Sequence, residues 1–104
     1  MSQADVISQI KSLGKQVVPK GGKLMLFGSR ARGDSHSHSD WDLLVLLDKE
    51  KITPADYNTV SYPFAELGWN INEMINPIIY TQKDWDSKKA TPFYKNVMQE
   101  GVVL

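Results

Sequence analysis

Two groups of residues in the first half of the chain have the types and spacing for chemistry on phosphate. The first is Gly28-Ser29, directly after the apolar run KLMLF at residues 23–27. A strand that ends in Gly-Ser and turns into a short helix points backbone N–H groups outward. Such a nest binds phosphate oxygens without a charged side chain. The Ser29 hydroxyl adds a donor, and Gly28 lets a ligand approach the backbone closely. The second group is Asp40-Trp41-Asp42, which opens the apolar run WDLLVLL at residues 41–47. Side chains alternate along a strand, so Asp40 and Asp42 project on the same side. Carboxylates held that close repel each other, and a divalent cation removes the cost. Magnesium suits the pair, because it takes one or two carboxylates and completes its shell with phosphate oxygens and water. Donors and acids at the ends of consecutive strands can hold one nucleoside triphosphate between them. Arg30 and Arg32 stand alongside; one suits phosphate and the other a surface ion pair with Asp34, with Arg32 preferred for phosphate.

These groups need elements to position them. Residues 2–18 predict an amphipathic helix, with Val6, Ile10, Leu13 and Val17 on one face and Ser2 with Asp5 as an imperfect capping box. Pro19 and Gly21-Gly22 stop it. Residues 23–27 and 41–47 predict two buried strands, the second central in a sheet. Thr53-Pro54-Ala55-Asp56 is a helix start. Tyr57, Val60, Phe64 and Leu67 then share a face, Pro63 should kink or split the helix, and Gly68 should end it. Residues 70–80 (NINEMINPIIY) predict a third strand, with Pro77 implying an edge or a bulge. Thr81 with Asp84, and Thr91 with Pro92, mark two further helix starts; the last helix turns Phe93 and Val97 inward and stops at Gly101. Helix, strand, strand, helix, strand, helix makes a mixed α/β class with a small sheet.

Composition narrows the function. A chain of 104 residues suggests a single domain, and 41% apolar with 23% charged residues is ordinary for a soluble globular protein. Twelve basic residues balance twelve acidic ones. That balance argues against a strongly basic nucleic-acid sleeve, direct nucleic-acid binding is not indicated, and near-zero net charge is compatible with a partner or a homo-oligomer. The absence of cysteine excludes disulfides, zinc-thiolate sites, iron–sulfur clusters and a cysteine nucleophile. No apolar run approaches the length of a membrane span, and the N-terminus lacks the pattern of a signal peptide, so a cytoplasmic location is expected. Other residues read as structural. His36 and His38 fall in a serine-rich loop, Trp41 should pack the back of the sheet, and Trp69 and Trp85 should anchor a core or an interface. Tyr80, Phe93 and Tyr94 should pack, and Lys88-Lys89 should be solvated.

Ten residues separate Ser29 from Asp40. This Gly-Ser, ten-residue, Asp-x-Asp segment resembles the signature of the nucleotidyltransferase superfamily, with its polymerase beta-like NTP transferase domain. It is most similar to the minimal nucleotidyltransferase (MNT) family. The matching letters are Gly28-Ser29-Arg30-Ala31-Arg32-Gly33 and Ser39-Asp40-Trp41-Asp42-Leu43-Leu44-Val45. The resemblance implies an α/β (α+β) nucleotidyltransferase fold, a small mixed β-sheet flanked by helices, with residues 1–104 as one domain. It implies transfer of a nucleoside monophosphate, AMP from ATP, to an acceptor with release of pyrophosphate. Asp40 and Asp42 match the catalytic, metal-binding acids, and Gly28 and Ser29 match the phosphate-binding pair. Mg2+ is the implied metal, with room for two ions. The family supplies a third carboxylate from the next strand, and here that strand has no Asp. Asn76 stands where the pattern Ile75-x-Pro77-Ile78-Ile79 puts the acid, and Glu73 is the only carboxylate nearby. The Asn76 amide can still accept a metal through its oxygen but brings no charge. Either Glu73 serves as a catalytic acid, or the site binds one metal, or a partner supplies the group, or catalysis is lost. The resemblance also implies a HEPN-type helical toxin as partner, with this chain as its antitoxin. The alternative is a catalytically impaired nucleotidyltransferase-like module that acts as an antitoxin or regulatory subunit by complex formation.

Overall fold

Ser2 caps the first helix as its spacing predicts. Its hydroxyl accepts from the Asp5 N–H at 3.1 Å, and its own N–H donates to the Asp5 carboxylate at 3.0 Å, which completes the capping box. Helix α1 (Gln3–Val17) buries Val6 and Ile10, with Leu13 and Val17 half-buried beside them. The computed structural model describes every residue of the chain except Ser35 and Ser37. The low-complexity run expected at residues 35–39 therefore lies partly outside the described residues.

Four strands, β1 (Lys23–Phe27), β2 (Trp41–Leu47), β3 (Ile75–Thr81) and β4 (Val102–Val103), form one sheet in the order β3-β2-β1-β4. β1 runs antiparallel to β2 and β4, and β2 runs parallel to β3. The sheet is mixed, as expected, and β2 is central. Trp41, Leu43, Val45 and Leu47 face α1 and α4 (Tyr62–Ile71) on one side. Leu44 and Leu46 face Trp85 of α5 (Gln82–Asp86) and Val97 of α6 (Pro92–Glu100) on the other. Burial on both faces is why β2 reads as a continuous apolar run. Each such side chain stabilises the fold by about 1.5–3 kcal/mol. β3 lies at the edge, which suits Pro77 and its missing N–H. β4 was not expected: two valines are too short for a periodic signal, yet they pair with Met25 and Leu26. Among the described residues, no helix is long and apolar enough to cross a membrane.

The segment between β2 and β3 departs from expectation in three places. Helix α3 (Pro54–Asp56) starts at Thr53 as predicted, but a π-helical turn (Tyr57–Ser61) follows before α4. Pro63 falls in the first turn of α4, where its missing N–H does least harm. The wider π turn shifts the helical phase, so Tyr57 is 53% exposed while Val60 and Phe64 are buried. Gly68 does not end the helix. A Cβ there would lie 2.6 Å from the Glu73 carbonyl oxygen, so glycine lets the chain fold back closely. The stop comes at Asn72, whose φ of 60° is left-handed, and both the Asn72 and Glu73 N–H groups donate to the Gly68 carbonyl. Asn70 and Ile71 are thus helical, and the third strand begins only at Ile75. The two C-terminal helix starts are as expected, with Thr81 and Thr91 accepting from the Asp84 and Tyr94 N–H groups. Phe93 is only partly inward, its ring edge-on to Phe27 and Trp85.

Asp56 links this segment to the end of β2. Lys49 Nζ donates to both its carboxylate oxygens, at 2.8 and 3.1 Å, and the Thr53 N–H donates at 2.8 Å. The Lys49 contact first, then the Thr53 N–H, hold its carboxyl below the usual aspartate range. A lowered pKa gives stability that is complete above the unfolded value and is lost as pH falls through the folded one. Asp56→Asn is therefore expected to melt below the wild type at neutral pH. Thermal melts across pH should show the two curves converging in acid; a gap unchanged at low pH would contradict this.

Candidate active site

β1 ends where β2 and β3 begin, so three chain segments meet at one end of the sheet. The antiparallel register sets Phe27 opposite Asp42, and the parallel register sets Asn76 beside Asp42. Asn76 Nδ2 donates to Asp40 Oδ2 at 3.0 Å and to Asp42 Oδ1 at 3.5 Å. One amide that reaches both carboxylates places them around a common point, as strand alternation predicts. Asp40 is exposed and Asp42 half-buried.

Gly28 makes the close packing of this site feasible. Its φ of 76° and ψ of −160° lie in a region essentially reserved for glycine. A Cβ there would stand 2.5 Å from Asp42 Oδ2. Gly28 then caps the short helix α2 (Ser29–Arg32), and its carbonyl accepts from the Ala31 and Arg32 N–H groups at 3.1 Å each. The N–H groups of Ser29 and Arg30, in the first turn, have no carbonyl one turn back inside the helix. The Gly-Ser turn and the Asp-x-Asp pair, ten residues apart in sequence, thus converge on one end of the sheet.

The third group at this point is Asn76. Among the described residues no three His, Cys, Asp or Glu side chains gather as a metal cluster. The donor set is two carboxylates and one amide, which turns either two N–H donors or one acceptor oxygen toward the acids. The structure does not bring Glu73 to the pair. Glu73 Oε1 accepts from Trp41 Nε1 at 3.4 Å, and Trp41 alternates with Asp40 and Asp42, so its indole lies on the opposite face of the sheet.

The two arginines separate. Arg30, one of the two candidates for phosphate, is buried. Its Nε and Nη2 donate to the Ser39 carbonyl at 3.2 and 3.0 Å, and its Nη1 to Gln3 Oε1 at 3.2 Å. Its guanidinium lies 4.3 Å from the centre of the Trp41 ring. Each of its three nitrogens donates to the protein, so Arg30 ties α1 and α2 to the residue before Asp40. The sequence held no local sign of this role, because the partners lie 9 and 27 positions away. Arg32 is exposed and pairs with Asp34 and with Glu100, each at 3.1 Å. Both acids raise its pKa, Asp34 the more. The Asp34 pair was foreseen for one arginine, and Glu100, on α6, was not. His36 and His38 are exposed, with ring centres 6.5 Å apart.

Comparison with known proteins follows the same lines. A family model described as "Polymerase beta, Nucleotidyltransferase" matches residues 8–104. A Methanocaldococcus jannaschii protein that carries the name "Putative protein adenylyltransferase" is 34% identical over 82 residues, covering 79% of this chain and 76% of the relative. A crystal structure of a Sulfolobus solfataricus protein, described as "a putative nucleotidyltransferase", superposes with a TM-score of 0.63 at 23% identity, covering 97% of this chain and 80% of that one. A toxin–antitoxin crystal structure with AMP-PNP superposes with the same TM-score at 18% identity, covering 92% of this chain and 69% of that one.

Proposed function

Because this chain belongs to the polymerase beta nucleotidyltransferase family, we propose that it transfers AMP from ATP to a hydroxyl of an acceptor protein and releases pyrophosphate. The observation that carries this reading is the convergence of Asp40 and Asp42 on one point beside the Gly28-Ser29 turn. Two carboxylates around one point suit a hard divalent cation, which Asp40 and Asp42 would hold, with Asn76 as a third ligand only once its amide turns over from Nδ2 to Oδ1. Magnesium bound there would neutralise triphosphate charge and polarise the reacting phosphate.

The chain's own residues do the rest. The Ser29 hydroxyl and the first N–H groups of α2 donate to non-bridging phosphate oxygens. Asp42, fixed between Gly28 and Asn76, would hold the cation that draws in the triphosphate. Arg32 borders the turn and would reach phosphate by leaving Asp34 or Glu100, while Arg30 holds the Ser39 carbonyl and so positions Asp40. The acceptor oxygen bonds to the α-phosphorus, the bond from that phosphorus to the bridging oxygen of the β-phosphate breaks, and pyrophosphate leaves with the electron pair. The hydroxyl proton passes to a carboxylate of the pair or to water. On this reading residues 1–104 form one catalytic domain, working in the cytoplasm where ATP and magnesium are supplied, with a HEPN-type toxin as the acceptor.

Incubation with α-labelled ATP, magnesium and a helical toxin partner tests this. The expected result is label on the protein, equimolar pyrophosphate, and loss of both on adding EDTA. A second reading has one observation in its favour: Asn76 brings no charge to the place where the family supplies an acid. The chain would then neutralise its partner by binding alone. Absence of label, together with undiminished neutralisation by Asp40→Ala, would establish that reading and end the first.

A further inference from the structure

Helix α4 carries an aromatic stripe on the side turned away from the sheet. Tyr62, Glu66 and Trp69 are spaced four and three apart, so they share a face. The rings of Tyr62 and Trp69 meet edge to face at 5.8 Å. Trp69 is 62% exposed, and Met74, beyond the helix end, is 55% exposed. Trp69 and Met74 line one surface depression together with Asn72 and Glu73. Exposed Trp, Tyr and Met side by side are typical of a protein contact surface. The patch also reaches the candidate active site. The Met74 carbonyl accepts from the Trp41 N–H at 2.8 Å, between the two acids in sequence, and Asn76 lies two residues further on.

Charge narrows what fits there. Residues 52–82 hold Asp56, Glu66 and Glu73 but no Lys or Arg, in a chain that has twelve of them. Asp56 is matched by Lys49, and Glu66 has no ion-pair partner among the described residues. Four lysines, Lys11, Lys15, Lys20 and Lys23, instead gather at the far end of β1. The face around Trp69 is therefore aromatic and acidic and draws no Lys or Arg from this segment, while Met1 and His38 border it beyond Asn72, Glu73 and Met74. A nucleic-acid backbone would be repelled. A protein surface with Lys or Arg around an apolar socket is complementary.

We propose that this face docks the acceptor protein, with Trp69 as the buried anchor and Glu66 meeting a cation at the rim. This rests on the transfer reading above, which the test separates from it. Host-cell lysate is labelled with α-labelled ATP and the wild-type chain, the labelled protein is identified by mass spectrometry, and that protein is purified for titration. Trp69→Ala, at an exposed position, should weaken binding of the purified acceptor at least about tenfold while leaving affinity for the ATP analogue AMP-PNP unchanged. Glu66→Lys should weaken acceptor binding most at low salt. Equal acceptor affinity for wild type and Trp69→Ala would overturn the docking and leave transfer intact. Loss of self-association in Trp69→Ala with unchanged acceptor affinity would overturn it in favour of a second copy. Label found on nucleic acid, or on no protein, would remove the transfer reading and the docking with it.

Discussion

Asp42→Asn is expected to reduce nucleotide transfer by at least about a thousandfold, equivalent to roughly 4 kcal/mol of lost transition-state stabilisation. Asparagine keeps the size and the strand position of Asp42, between the Gly28 backbone and Asn76, and it can still accept from Asn76 Nδ2. What it removes is one of two charges that converge on the same point. Without metal the two carboxylates repel, so the variant should fold at least as well as the wild type. Activity and stability therefore move in different directions, which a merely structural role for Asp42 would not produce. Measured transfer rates and thermal midpoints of the same preparation check this. A variant with near-normal activity, or one whose inactivity tracks unfolding, would contradict it.

Gly28→Ala is expected to cost both stability and activity. The backbone conformation at Gly28 carries a penalty of about 1–3 kcal/mol for any side chain, and the new methyl would stand 2.5 Å from Asp42 Oδ2. Asp42 must move, and displacement of a catalytic group on the ångström scale costs on the order of a hundredfold in rate. Gly33→Ala is the control. Gly33 also has positive φ, at 84°, but nothing lies within 4 Å of its missing Cβ. It should lose some stability and almost no activity. Denaturant melts and transfer assays on both variants separate strain from displacement; equal loss of activity in the two would show that strain alone is responsible.

Much of this site was legible because its parts are local. The Gly-Ser turn and the Asp-x-Asp pair each sit within three residues, and strand alternation alone places Asp40 and Asp42 on one side. The apolar run of β2 revealed burial on both faces, and Ser2, Thr53, Thr81 and Thr91 announced the helix starts. What the sequence hid depends on distant partners. Arg30 and Arg32 stand two apart with the same chemistry, yet one is enclosed by Ser39, Gln3 and Trp41 while the other reaches Glu100 across the fold. Only tertiary packing assigns them. The π turn displaced Tyr57 because one added residue resets the phase on which an amphipathic pattern is counted. Gly68 looked like a helix stop because glycine serves both for left-handed turns and for close packing, and here the second use prevails. Glu73 and Asn76 could not be told apart in role until the strand's true start, at Ile75, fixed which of them shares a face with Asp42.

The convergence of Asp40, Asp42 and the Gly28-Ser29 turn is tested most directly by calorimetric titration of AMP-PNP into the wild-type chain, with magnesium and then with EDTA. Saturable binding is expected with magnesium, should collapse with EDTA, and should be lost in a chain carrying both Asp40→Asn and Asp42→Asn. Binding of equal strength with and without the metal, unaffected by removing both carboxylates, would show that the acids and the turn do not form a single nucleotide site.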